Sequence, residues 1–394
     1  MHDANKCKVR FAKFSDGERY PLMLYERWLP LWYPTLFTTT QFRNVNKAPN
    51  TMAAVLSALR VLMYWAQSSQ IDLEHRFARR LFLNEQEMES LCSYLQTKDF
   101  ENELQNVNII RIKRRNEDSR GGIQLVESRV SSSTQYIRIS YIAEYLKWLA
   151  TRLVERDARY VDTETLGQIQ RMTGGLHKRR PLKTRSSTVN ARKGLTEHQQ
   201  DMLLDLVERG SEKNPFSPNL QGRNQLIVHL LYYLGLRGGE LLALRISDFD
   251  FQKNTMLVAR RHDNPEDPRT YQPVAKTADR LIPLAESLVK LVSDYVLKER
   301  NCFPSAKQHN FLLVTHQGGS YQGQPLSIKG LAKVFVEIQA AMPDKSGGLT
   351  AHVLRHTTND LLSDLMDSRK VKPAEEEKLR SFLMGWKEGS GTAA

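Results

Sequence analysis

Two arginines and a histidine in the second half of the chain have types and a spacing that suit the binding of a phosphate group. Arg237 lies in the segment LGLRGGELLAL, and His352 and Arg355 lie three residues apart in AHVLRHT. Residues three apart on a helix share a face, so His352 and Arg355 are predicted to lie on one side of a helix. A planar guanidinium can hold two phosphate oxygens at once, so these three side chains together would form a phosphate clamp.

Two further residues could complete such a site. Lys276 lies in AKTADRLIPL between two segments with the pattern of β-strands, so it is predicted at the tip of a hairpin. From there its ammonium group could donate a proton to a leaving oxygen. Trp386 lies in the segment MGW. Each residue alone has an ordinary explanation, as a surface charge, a buried histidine or a core tryptophan, but their occurrence together favours a catalytic set.

Two neighbours are predicted to support this set. Glu240 follows Arg237 by three residues and is expected to pair with it and orient it, and His356, one turn after His352, is expected to be a structural buttress. The three cysteines, at positions 7, 92 and 302, are too far apart for a metal-ligand motif or a disulfide framework. We therefore expect neither a metal nor a cofactor.

The overall charge points to a polyanionic partner. Lysine and arginine total 57 against 44 aspartate and glutamate, a formal net charge of +13. Nucleic acid is the commonest partner of such a chain, and a merely solvated basic surface is the alternative. The start of the chain is polar and shows no signal peptide, and the longest apolar run, residues 226–236, is too short to span a bilayer. A cytoplasmic protein without a membrane partner is expected.

The length of 394 residues predicts two or three domains, which we place as an irregular arm (1–40), a helical DNA-binding domain (41–172), a basic linker (173–194) and a second domain (195–394). A flexible tether that does not touch DNA is the alternative interpretation of the linker. The cationic side chains expected to contact DNA are Arg43, Lys47, Arg60, Lys178, Arg179, Arg180, Lys183 and Arg185.

Local patterns predict a mainly α chain with one small antiparallel β-sheet, an α+β fold. Helices are expected at residues 50–65, 85–95 and 136–155, with a loop at 113–135. Capping signals mark helix starts at Asn84, Thr196, Ser327 and Thr350, and Gly235 is expected to end a helix. Strands are expected at residues 255–259, 271–277 and 280–284, the last two joined by a tight turn at 278–279.

Four segments together carry a family resemblance. LGLRGGELLALRISDFD, KTADRLIPL, QPLS before a helix and LTAHVLRHT resemble the catalytic domain of the tyrosine recombinases, the phage integrase family, over residues 195–386. More loosely, NTMAAVLSALRVLMYWA is similar to the opening helix of the family's core-binding domain. The resemblance implies a core-binding domain and a catalytic domain, joined by a basic linker, that enclose duplex DNA.

The resemblance also implies roles for the site residues. Arg237 and Arg355 would bind the non-bridging oxygens of the scissile phosphate, Lys276 would protonate the 5′ oxygen, and His352 would assist proton transfer. Trp386 stands where many members have a second histidine. The implied reaction is site-specific recombination through a 3′-phosphotyrosyl intermediate, at a specific DNA site and in a homotetrameric synaptic complex. The source would be a bacterium, phage or mobile element, with the protein at the nucleoid.

Two departures from the family pattern matter. The segment 362–383 is polar and charged and is expected to form extra helix or a loop. The nucleophilic tyrosine is expected just after Ala394, where the sequence given stops, and Tyr321, the last tyrosine in it, does not match the motif. As given, the chain is expected to bind DNA without cleaving it and to be a monomer in free solution. A natural relative that only binds DNA and a topoisomerase-like relaxase remain open alternatives.

Overall fold

The computed structural model describes residues 7–25, 28–97, 129–157, 161–182, 194–273, 277–342 and 348–386. The chain divides into two compact units, of which the first holds Met1–Ala12 and Tyr20–Arg185 and the second holds Lys13–Arg19 and Ser186–Ala394. In the described part of the chain, no helix is both long enough and apolar enough to cross a lipid bilayer. The domain bounds derived from the sequence stay predictions.

Helices dominate the chain up to residue 185, as the sequence predicted. In order, the elements are β1 (Lys8–Lys13), β2 (Arg19–Leu24), α1 (Trp32–Gln41), a 3-10 turn (Arg43–Val45), α2 (Pro49–Ser68), α3 (Leu73–Ala78), α4 (Glu85–Tyr94), α5 (Ser132–Asp157) and α6 (Thr163–Lys178). Strands β1 and β2 form a two-stranded sheet. The predicted loop at 113–135 lies mostly outside the described residues.

Helix α2 forms the centre of the first unit. Pro49 occupies its first turn, where a missing N–H costs nothing, and Val55, Leu59 and Leu62 recur at helical spacing on its buried face. This face packs against α5, which packs in turn against α6. Each fully buried leucine contributes about 1.5–3 kcal/mol of stability, which explains why the apolar pattern identified this helix correctly.

Residues 1–40 were predicted to be an irregular arm, and this prediction is wrong for the described part. Residues 8–13 and 19–24 form β1 and β2, and Phe37 of α1 is buried in the core of the first unit. The turn between the strands belongs to the second unit. There Arg19, which is 2% exposed, donates hydrogen bonds to the carbonyls of Asn264 and Asp267 at 2.7 and 2.6 Å. These partners lie far away in the sequence, so local patterns did not reveal them.

The first six residues of the predicted linker are helical. Helix α6 continues to Lys178 because Thr173 and Leu176 lie on its buried face, so residues 173–178 are helical. Asp162 caps the start of this helix by accepting a hydrogen bond from the Thr165 N–H at 2.7 Å. Most of the remaining linker, residues 183–193, lies outside the described part of the chain.

The second unit combines helices with a three-stranded sheet. From residue 194 the elements are α7 (Glu197–Val207), α8 (Pro218–Leu234), α9 (Gly238–Ala243), β3 (Phe249–Asp250), β4 (Thr255–Val258), β5 (Arg280–Pro283), α10 (Glu286–Asp294), a π turn (Tyr295–Glu299), α11 (Ile328–Ala341), α12 (Ala351–Ser368) and α13 (Pro373–Met384), with 3-10 turns at Ile246–Asp248, Arg300–Cys302 and Pro304–Gln308. The mainly α fold with small sheets is confirmed.

Helix boundaries in this unit follow the capping signals. Thr196 and Gln199 form a capping box at the start of α7, and the hydroxyls of Ser327 and Thr350 cap α11 and α12. Gly235 ends α8 in the left-handed region, with φ of 57°. The polar segment at 362–383 is mostly helical, since it forms the end of α12 and nearly all of α13, with a short connection at residues 369–372.

The sheet differs from the prediction in one strand. The strand expected at 271–277 is absent over Tyr271–Pro273, and residues 274–276 lie outside the described part of the chain. Instead β3 pairs with β4 and β4 with β5, all antiparallel, so that Met256 lies opposite both Phe249 and Ile282. Pro273 cannot donate a ladder hydrogen bond, which weakens the predicted strand.

Candidate active site

Arg237 lies where helix α8 ends and α9 begins. Gly235 ends α8 and Arg237 is the residue before α9, with extended backbone (φ −72°, ψ 149°). Its backbone N–H donates to Glu240 Oε2 at 3.1 Å, which fixes the turn. The Arg237 side chain is 33% exposed, so a ligand can reach its guanidinium from solvent.

Arg355 lies in the second turn of α12 and joins three segments of the second unit. Its Nη1 donates to the Gly235 carbonyl at 2.6 Å, and its Nη2 donates to the Met384 carbonyl at 2.5 Å. The guanidinium also lies 5.6 Å from the centre of the Trp386 ring. Arg355 is 4% exposed, so a buried cation connects the turn before Arg237 with the end of α13.

The two histidines of α12 lie together near its start. His352 is exposed, and its Nε2 lies 3.2 Å from His356 Nε2, with ring centres 4.5 Å apart. The sequence assigned His356 as a buttress for His352, and the two rings are in contact. Because α12 begins at residue 351, His352 lies in its first turn, where free N–H groups and the helix dipole favour an anion.

Glu240 has a different main partner from the predicted one. Its side chain is fully buried, and Oε2 accepts a hydrogen bond from Arg280 Nη2 at 2.9 Å, whereas Arg237 Nη1 lies 3.5 Å from Oε1. Thr277 also donates its hydroxyl proton to Oε1 in a short hydrogen bond. Glu240 therefore contacts Arg237, as predicted, but its strongest ion pair is with Arg280.

Sequence reasoning missed Arg280 and Thr277. In β5, Arg280 and Ile282 are buried while Leu281 and Pro283 are exposed, the two-residue period of a strand. An arginine on the apolar face of such a strand needs a buried acceptor, and this alternation was the signal that could have identified it.

Electrostatics leave this cluster short of negative charge. Burial opposes ionisation of Glu240, but hydrogen bonding to Arg280 and its charge outweigh burial and hold the pKa of Glu240 below its ordinary value. Burial, assisted by the like charge of Arg237, lowers the pKa of Arg355 to about 9. Arg237, Arg280 and Arg355 thus set three positive charges against the single charge of Glu240, and a bound anion would relieve the excess.

Lys276 lies outside the described residues. Thr277, which follows it directly, is 4% exposed and is hydrogen bonded to Glu240. The described residues therefore unite Arg237, Glu240, Arg355 and Trp386, with His352 and His356 on the same helix as Arg355. Among the described residues, no three histidine, cysteine, aspartate or glutamate side chains could hold a metal ion.

The cations predicted to contact DNA from the first unit are partly engaged within the protein. Arg179 forms an ion pair with Glu85, and Arg180 lies 4.9 Å from the Tyr136 ring centre. The Arg60 guanidinium lies 6.0 Å from the Tyr64 ring, and that of Arg43 lies 5.5 Å from the Tyr20 ring. Lys47 and Lys178 are exposed. Lys183 and Arg185 lie outside the described residues.

Comparison with known proteins follows the same region. Residues 193–375 match the model of the phage integrase family. Tyrosine recombinase XerD of Halalkalibacterium halodurans is 26% identical over 181 residues, which are 46% of this chain and 52% of XerD. Transposase A from transposon Tn554 of Staphylococcus aureus is 30% identical over 138 residues, 34% of each chain. The chain thus spans about half the length of XerD and about a third of the length of the transposase.

A solved structure of XerH site-specific recombinase bound to its difH substrate aligns over 87% of this chain and 92% of that one, with 16% identity and a TM-score of 0.40. The family assignment comes from the sequence match over residues 193–375. The matched region contains Arg237, Glu240, Arg280, His352 and Arg355. Residues 193–375 of this chain therefore form a domain of the phage integrase family, the tyrosine recombinases.

Proposed function

We propose that this protein is a site-specific DNA recombinase, the integrase of a mobile element, which cuts and rejoins DNA through a 3′-phosphotyrosyl intermediate. The observation that carries the proposal is the buried Arg355, held near Arg237 and Arg280, whose charges are opposed among the described residues by Glu240. Buried charges in proteins require partners, and a phosphodiester would supply the missing negative charge.

In the proposed reaction, the arginines stabilise the charge that develops on phosphorus-bound oxygens. A tyrosine hydroxyl gives its proton to His352 and attacks the scissile phosphorus, so that the tyrosyl O–P bond forms as the bond from phosphorus to the 5′ oxygen breaks. Lys276 gives its proton to the departing 5′ oxygen, and Arg237 and Arg355 hold the non-bridging oxygens. Attack by the 5′ hydroxyl of the partner strand then reverses these steps and releases the tyrosine.

The geometry supports separate tasks for the two arginines. Arg355 is fixed by the carbonyls of Gly235 and Met384, so its remaining N–H groups are preorganised for a phosphate. Arg237 is a third exposed and can approach the same phosphate from the open side. His352, in the first turn of α12, would hold the phosphate and assist proton transfer.

The proposed partner is duplex DNA at a specific recombination site, with four copies of the protein in the synaptic complex. The 394-residue chain by itself is expected to be a monomer in free solution. The relatives of this chain are a tyrosine recombinase and a transposase, and the net charge of +13 suits a DNA partner. We place the protein at the nucleoid, in the cytoplasm of a bacterial host.

Covalent trapping tests this function directly. The protein, together with any residues that its gene encodes after Ala394, is used as the extended protein and is mixed with a duplex that carries the target site and a nick beside the cleavage position. We expect a covalent protein–DNA band on denaturing gels. Arg355→Ala should reduce that band by at least about 100-fold, because it removes a preorganised charge from the transition state. Duplex affinity should change by less than about threefold, since many contacts share binding.

The matched control is Arg300→Met. Arg300 is also buried, and it donates to the carbonyls of Ala306, His309 and Phe311, none of which belongs to the site. Cleavage should survive this change. If the extended wild-type protein binds the duplex but forms no covalent band, the recombinase proposal is wrong and the protein is a relative that only binds DNA.

A further inference from the structure

Arg280 lies at the centre of the active-site contacts, although the proposed chemistry gives it no step. It is 4% exposed and its guanidinium reaches three different segments of the second unit. Nη2 donates to Glu240 Oε2 at 2.9 Å, Nη1 donates to Thr277 Oγ1 at 3.1 Å, and Nε donates to the Leu383 carbonyl at 3.0 Å. One side chain thus connects the turn after Arg237, the residue after Lys276 and the end of α13.

The contact with α13 is close as well as polar. Gly385 ends this helix with φ of 62°, and a Cβ at Gly385 would lie 2.8 Å from Arg280 Nη1 and 2.8 Å from Thr277 Cβ. Normal side chains do not tolerate such distances, so the backbone of Gly385 rests directly on Arg280. Trp386 is the next residue, and its N–H donates to the Ser381 carbonyl at 2.8 Å.

Two buried arginines therefore hold consecutive carbonyls at the end of α13. Arg280 binds the carbonyl of Leu383 and Arg355 binds that of Met384. The last carbonyls of a helix lack partners within the helix and carry partial negative charge, so cations stabilise this end. Arg355 approaches from α12 and Arg280 from β5, which fixes the direction in which the chain leaves α13.

We infer that Arg280 is a positioning residue of this active site, which holds the end of α13, and with it Trp386, against the turn that carries Arg237 and Glu240. This inference rests on the proposed recombinase function. Neutralising Glu240 is one consequence of the arrangement, but a second cation could do that without reaching Leu383. The additional bond to α13 is what the positioning role requires.

The experiment separates the two roles with Arg280→Met and the double variant Arg280→Met/Glu240→Gln. The single variant leaves Glu240 buried without its main counter-charge, whereas the double variant removes both charges and should recover most of the lost thermal stability. Neither variant can hold the Leu383 carbonyl. Hydrogen exchange at the amides of Gly385 and Trp386, measured on the 394-residue chain, reports the end of α13 without any need for activity.

We expect both Arg280 variants to speed exchange at Gly385 and Trp386 by at least tenfold and to lower cleavage by the extended protein by at least tenfold. Arg300→Met is the control, and it should leave exchange at these two amides unchanged. Recovery of slow exchange and cleavage in the double variant would overturn the inference, because Arg280 would then serve only to neutralise Glu240. Unchanged exchange in the single variant would overturn it too.

The experiment can distinguish failure of this inference from failure of the recombinase proposal. If the extended wild-type protein forms no covalent band, the proposed function fails and the exchange measurement alone decides whether Arg280 holds α13. If wild-type cleavage is present, the exchange and cleavage results must agree, and cleavage that persists while exchange accelerates would refute a catalytic consequence of the positioning.

Discussion

Replacing Arg355 by methionine should change the stability of the second unit little, although it removes a buried guanidinium. The change leaves the carbonyls of Gly235 and Met384 without their donors, at about 1–3 kcal/mol each. It also removes a charge whose burial lowers the Arg355 pKa to about 9, and this relief is on the order of 5 kcal/mol. The two effects oppose each other, so we expect a net change within about 3 kcal/mol of zero.

The same balance predicts that an anion stabilises the wild-type protein through this site. A ligand at ten times its Kd stabilises the folded state by about 1.4 kcal/mol, which raises the Tm of a unit of this size by about 3–6 °C. Arg355→Met should abolish this shift, because the cation that attracts the anion is gone.

Thermal unfolding in sodium phosphate and in sodium chloride, at equal ionic strength, measures the effect. Phosphate also stabilises proteins in general, because it is excluded from their surface. Arg300→Met keeps the proposed anion site, so its Tm shift in phosphate contains both this general effect and the site-specific effect. The specific part is therefore the difference between Arg300→Met and Arg355→Met. A full phosphate shift in Arg355→Met would refute an anion site at Arg355. If Arg355→Met loses more than about 5 kcal/mol of unfolding free energy and phosphate does not shift the Tm of the wild type, Arg355 has only a structural role.

Three further predictions concern the same unit. Arg280 holds the pKa of Glu240 below its ordinary value of 4.5. The stabilisation from this ion pair should therefore be complete above pH 4.5 and be lost as the pH falls through the pKa of Glu240 in the folded state. The difference in unfolding free energy between wild type and Glu240→Gln, measured by urea titration, should disappear in acid. Burial lowers the pKa of His316 to about 4. The free energy of unfolding should therefore fall by roughly 3 kcal/mol between pH 6.5 and pH 4, because the unfolded chain takes up the proton first. His316→Gln should flatten this part of the plot of unfolding free energy against pH. An alanine in the left-handed backbone region costs about 1 kcal/mol, and Gly385→Ala should destabilise the unit by more than this, because its Cβ would collide with Arg280 and Thr277. Gly210→Ala is the control, since Gly210 has φ of 82° and open space around it, and should show the backbone cost alone. Denaturant titrations measure both losses of stability.

Local interactions made much of this protein predictable from its sequence. The capping boxes of Asn84 with Glu87 and of Thr196 with Gln199 join residues three apart, so the helix starts were visible in the sequence and are confirmed. The left-handed end of α8 followed from Gly235 in the same way. The family resemblance rested on motifs of this kind, short segments whose side chains and order carry the chemistry.

Tertiary structure decided the contacts between those segments. Strands β1 and β2 contain charged residues that mask their pattern, and β3 has only two residues, so pairing with a neighbouring strand defines them rather than their own sequence. Arg280 looked like an ordinary polar residue in a strand, because two of its acceptors, Glu240 and Leu383, lie 40 and 103 residues away.

The candidate active site likewise combines features that the sequence predicted with contacts that only the structure shows. The sequence indicated Arg237, His352, Arg355 and Trp386 by type and order, but not that Arg355 would be buried between two carbonyls. That burial depends on helix α13 ending beside α8, where Met384 and Gly235 both lack helical partners for their carbonyls. A side chain's type determines which bonds it can form, and only the packing of distant segments determines which partner is within reach.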